Sequence, residues 1–140
     1  MKYYLHFFCA LVSILLVAQF AVAQTSGDYR SVATGKWDAA ATWETYNGTA
    51  WVAATTYPTG NTVTVTICNG HTVDFGDNSR TVGVLIIETG GVLTSTNNGK
   101  SLTIANGLIQ CDGTIYCDGS TYRPMFQWST KNCVLQGSGS

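Results

Sequence analysis

Four kinds of side chain in this sequence have chemical capacity: paired aspartates, a histidine, cysteines and a cluster of indoles. Asp74 with Asp77, and Asp112 with Asp118, could supply the acid and base that glycoside cleavage requires. All four aspartates fall at strand ends or turns, where Asp bonds its own backbone, so turn chemistry explains them without catalysis. His6 lies in an apolar leader, which leaves His71 alone after an Asn-Gly corner. One histidine cannot make a histidine-rich metal site and reads as a turn residue. The segment Asp74-Phe75-Gly76-Asp77-Asn78 gathers oxygen ligands but matches neither an EF-hand loop nor a Gly-Gly-x-Gly-x-Asp repeat, so it reads as a solvated turn. The expectation is a protein without catalytic residues, metal or cofactor. A polysaccharide-active enzyme, lyase or glycoside hydrolase, or a fragment of one, is the competing reading.

The indoles point to binding. Trp37, Trp43 and Trp51 lie with Tyr29, Tyr46 and Tyr57 between Gly27 and Pro58. Two uses compete for them. They can plug the open end of a stack of coils, because terminal repeats expose apolar interior and must be covered. Or they can form a shelf for a sugar, whose apolar ring face lies well on an aromatic ring. The candidate ligand-binding residues are Trp37, Trp43, Trp51 and Tyr46, with surface or extracellular polysaccharide as the partner. Asn47-Gly48 sits between the alternating segments 42–46 and 49–53, the best hairpin signal in the chain. Alternation puts Trp43 and Thr45 on one face of that hairpin and Glu44 and Tyr46 on the other.

Residues 1–23 read as a signal peptide, with Lys2 as the positive start, an apolar run from Leu5 to Val17 and Ala21-Val22-Ala23 as the cleavage motif. Cleavage near Ala23 predicts a secreted or cell-surface protein that meets the membrane only through its leader. The whole chain has 7 basic and 8 acidic residues, and loss of Lys2 moves the net charge from −1 to about −2. No basic patch for nucleic acid follows from that. Of 5 cysteines, Cys9 leaves with the leader, and Cys68, Cys111, Cys117 and Cys133 enter an oxidising compartment as disulfide candidates. No Cys-x-x-Cys spacing favours zinc. Cys111 and Cys117 read as equivalent places on successive turns, too far apart along an extended chain to bridge directly, at roughly 20 Å. Cys133 is the expected partner of one of them.

These groups must be positioned by the stretch from Val63 to Gly119, where β-branched runs end again and again in Asn-Gly, Thr-Gly or Asp-Gly. Its corners are Cys68-Asn69-Gly70, Glu88-Thr89-Gly90, Ala105-Asn106-Gly107, Cys111-Asp112-Gly113 and Cys117-Asp118-Gly119. Glycine spacings shorten from 20 and 17 residues to 6 and 6, which reads as the period of a coil. Short strands hugging such corners predict an all-β fold, a short right-handed parallel β-helix, with a β-sandwich as the alternative. The organisation follows: signal peptide 1–23, aromatic N-terminal cap 24–58, coils 59–119, and 120–140 as either a tail or the start of a further coil, the latter as a truncated chain would show.

The order of motifs from Asp28 to about Gly119 carries a resemblance. Gly35-Lys36-Trp37, Thr42-Trp43, Tyr57-Pro58-Thr59-Gly60, Val65-Thr66-Ile67, Asn69-Gly70-His71-Thr72-Val73 and Gly90-Gly91-Val92-Leu93 follow one another. The sequence resembles the N-terminal region of secreted bacterial right-handed parallel β-helix proteins of adhesin type, and is similar to the extracellular domain named for its eight glycines. That resemblance implies an outer-surface module, often the start of a longer adhesin-like or carbohydrate-associated protein, with no catalytic residues to carry over. Cysteines are unusual in such proteins.

Overall fold

The computed structural model describes residues 23–76, 78–95, 100–117, 126–128 and 134–139. The leader before Ala23, Asp77, Asp118 and Cys133 lie outside them, as does the side chain of Cys117.

The chain is all-β, with strands making up 52% of it. Among the described residues, twelve strands form two sheets. The larger holds β1 (Tyr29–Ser31), β3 (Trp43–Tyr46), β4 (Trp51–Ala53), β5 (Gly60–Ile67), β7 (Arg80–Ile87), β9 (Leu102–Cys111), β11 (Phe126–Trp128) and β12 (Val134–Gln136). The smaller holds β2 (Gly35–Lys36), β6 (Thr72–Asp74), β8 (Val92–Ser95) and β10 (Thr114–Cys117). From β5 onward the chain alternates between the two sheets through β10. Among the described residues, all ladders of the smaller sheet are parallel, as are those joining β1, β5, β7, β9, β11 and β12, and the β1–β3 and β3–β4 ladders are antiparallel.

Register explains the core. Val65, Leu85 and Ile109 lie side by side on β5, β7 and β9, as do Ile67, Ile87 and Cys111. Val73, Leu93 and Ile115 form the facing row on β6, β8 and β10. Like side chains therefore stack on like, and all of these except the partly buried Ile115 are buried between the sheets. Trp37, Trp43 and Phe75 complete the core at the N-terminal end.

The corners after β5 and β7 hold Gly70 and Gly90, both with positive φ, as Asn-Gly and Thr-Gly predict. Two expectations are corrected. Asn106-Gly107 does not separate strands; it lies inside the 10-residue β9 as a bulge, where the pairing steps from Val82↔Ile104 to Val84↔Leu108. The interval of 6 residues is therefore no coil. Strand n meets its neighbour after a much longer path, Ile67 against Ile87 and Ile87 against Cys111. It follows that Cys111 and Cys117 are not equivalents on successive turns: one ends β9, the other ends β10 in the opposite sheet.

The disulfide expectation also meets a correction at its two described side chains. Cys68 and Cys111 are free thiols. Cys68 follows Ile67 on the β5 rung and Cys111 sits on the β9 rung, with β7 between them. Two rungs at ~4.8 Å exceed the reach of a disulfide, about 4.4–6.8 Å between Cα atoms.

Candidate functional site

The hairpin forms as the Asn-Gly signal predicts. Asn47 Oδ1 accepts bonds from the Thr49 and Ala50 amides at 3.0 and 2.9 Å, closing the loop, and Tyr46 then lies opposite Trp51. β3 pairs with β1 along its other edge, so the hairpin covers the free edge of the parallel strands. Alternation along β3 sends Trp43 into the core and leaves Glu44 and Tyr46 half-buried.

This arrangement divides the four aromatic candidates. Trp37 and Trp43 are 0% and 1% exposed, their rings edge-to-face at 5.1 Å, with Phe75 against Trp37 at 5.6 Å. Their indole N–H groups donate to the carbonyls of Pro58 and Trp37 at 3.0 and 2.7 Å. Neither presents a face to a ligand, which corrects their place among the binding candidates: the apolar interior took them. Trp51 and Tyr46 are only partly buried and pack on each other at 5.3 Å, tilted by 54°.

Around them lies an outer-face cluster that sequence alone did not reveal. The pairing register carries a row Glu44, Arg30, Thr66, Ile86, Gln110 across β3, β1, β5, β7 and β9. Arg30 donates through Nε and Nη2 to one oxygen of Glu44, at 2.9 and 2.7 Å, while its guanidinium sits 4.7 Å from the Trp51 ring centre. Beside them is a small, shallow hollow of about 40 Å³ lined by Gln24, Asp28, Tyr29, Trp51, Thr64, Thr66 and Ile86. Asp28 is buried, and its two carboxylate oxygens accept the amides of Thr25 and Thr64 at 2.7 and 2.9 Å. The charges near the hollow thus have partners, and what it offers a ligand is an aromatic wall, two threonines and an isoleucine. The period of 2 along each strand could have placed Arg30 and Glu44 on this face, but only the register brings Thr66 and Ile86 beside them.

The other chemical candidates do not gather there. Asp74, on β6, bonds the Gly76 amide at 3.1 Å and shapes its own turn. Asp112 follows β9 at a different corner, where Gln110 and Ser138 donate to it and hold its carboxyl below the usual carboxylate range. His71 shares a 2.9 Å hydrogen bond between Nδ1 and Ser31 Oγ, which also accepts the Cys68 amide at 2.8 Å. Ser31 is buried and ties β1 to the first corner. Burial pushes the neighbouring Cys68 thiol above its ordinary value, and the charge of Glu88 adds to that, so it is a poor nucleophile at neutral pH. Comparison with known proteins finds no matching family model, curated protein or solved structure.

Proposed function

We propose that this chain is a secreted or cell-surface module, a short right-handed parallel β-helix behind an aromatic cap, with a structural and adhesive role and a glycan site on its outer face. Support for the β-helix comes from the parallel ladders in both sheets, from the alternation of the chain between them, and from the motif order it resembles. Right-handed crossovers are the sterically favoured form of such connections.

One observation carries the binding reading: of the four aromatic candidates, Trp51 and Tyr46 are left partly exposed, and Trp51 lines a hollow together with Tyr29, Thr64 and Thr66. A sugar ring stacks on such a wall and its hydroxyls bond threonine hydroxyls. Because Arg30 pairs with Glu44 and the oxygens of Asp28 are taken by backbone amides, the fitting ligand is an uncharged glycan.

The test is a titration of intrinsic tryptophan fluorescence with neutral and uronate-containing polysaccharides, using the exported chain. Neutral glycans are expected to give a saturable change, weakened at least about tenfold in Trp51→Ala, equivalent to ~1.4 kcal/mol. Trp43→Phe, altered only in the core, should keep the affinity. Undiminished binding by Trp51→Ala would remove the site, and the absence of any saturable change would leave the structural role alone.

A further inference from the structure

We infer that Gln24, released as the N-terminal residue by cleavage after Ala23, closes on itself to a pyroglutamate at the rim of the hollow; this rests on the export reading of residues 1–23. The cleavage motif Ala21-Val22-Ala23 ends one residue before a clamp. In that clamp the Thr25 amide donates to Asp28 Oδ2 at 2.7 Å, the Asp28 amide donates to the Thr25 carbonyl at 2.9 Å, and Asp28 Oδ1 accepts the Thr64 amide of β5. The clamp begins at Thr25. Cleavage leaves one residue, Gln24, beyond it, and that residue is exposed along the wall of the hollow.

An N-terminal glutamine carries both reactants in one side chain length. The α-amine nitrogen attacks the side-chain amide carbon, a five-membered lactam forms, the bond from that carbon to the amide nitrogen breaks, and ammonia leaves with the proton the amine gives up. No oxidant, reductant or co-reactant enters. The amine must be uncharged, and an α-amine titrating near ~8 supplies a reactive fraction at neutral pH. The product has no terminal charge, as with other blocked termini. It also denies aminopeptidases the free amine they grip. In this chain that protects the residue next in line, Thr25, whose amide holds Asp28 and through it β5.

The experiment expresses the full chain with its own leader in an exporting host and measures the intact mass and the N-terminal peptide of the product by mass spectrometry. Gln24→Asn is made in parallel, because one methylene fewer would demand a strained four-membered lactam. The expected result is a chain beginning at position 24 and lighter than its sequence by one ammonia, resistant to aminopeptidase, with Gln24→Asn at full mass and readily trimmed. A wild-type chain that begins at Gln24 with a free amine overturns the cyclisation and leaves the export reading standing. A product that is uncut, or cut elsewhere, overturns the export reading and the cyclisation together.

Discussion

From Asp28 to Pro58 the core is filled by two tryptophans, each tied through its indole N–H to a backbone carbonyl, whereas from Gly60 to Ile115 it is filled mainly by stacked rows of valine, leucine and isoleucine. The first solution is specific to one place: each ring has a fixed partner and orientation. The second is modular, since a row is extended by adding one more aliphatic residue at the same register. The difference teaches where each region is vulnerable. The aromatic end depends on individual side chains, and the stacked region depends on how closely its corners approach.

Trp43→Ala should break the first region most severely, with a loss of about 3–5 kcal/mol in folding stability. Chemical denaturation measures this, and an unchanged midpoint would show that the ring does not hold the end of the core. Gly113→Ala probes the second region. A Cβ at Gly113 would collide with the carbonyl oxygens of Gly91 and Glu88 in the turn that follows β7. The expected cost is about 1–3 kcal/mol, and a cost near zero would mean that the corners are looser than their packing implies.

The smallest effect is expected at Asp112, in the last described corner. Its carboxyl is held below the ordinary 3.8 by the Gln110 side chain first and by Ser138 second. Asp112 therefore favours the folded form above the pH where the unfolded group titrates, and that contribution fades as pH falls through the lower folded value. Protection of the Ser138 amide, bonded to Asp112 at 3.0 Å, measured as its exchange rate relative to the intrinsic one, should fall on acidification through that range and stay constant in Asp112→Asn. An equal fall in protection in both proteins would place Ser138 under other control.

The hairpin at Asn47-Gly48 and the corners at Gly70 and Gly90 were legible in the sequence because each is decided within a few residues by turn chemistry. The two classes of tryptophan were not. Alternation separates Trp43 from Tyr46, but only the pairing of β1 with both β3 and β5 shows which face meets the core. Asn106-Gly107 has the composition of a corner and serves as a bulge, since the neighbouring strand β7 runs straight past it and keeps β9 in the sheet. Local residue preference favours a turn there, and the ladder on either side overrides it. The hollow was equally hidden, because Gln24, Trp51, Thr66 and Ile86 come from four separate segments and meet only through register.

A newly made chain faces a problem of counting, since the parallel strands β5, β7 and β9 offer similar aliphatic partners. The bulges mark the answer. β5 carries extra residues at 61–63 and β9 at 105–107, both opposite Gly83 of β7, and a Cβ at Gly83 would meet the Asn61 carbonyl at 2.8 Å and Asn106 Nδ2 at 2.9 Å. A strand that slides by a pair of residues sets this narrow point against ordinary backbone and the bulges against side chains that need the space. Gly83 thus works as a reading-frame mark for the stack, rejecting misaligned pairings while they are still cheap to undo.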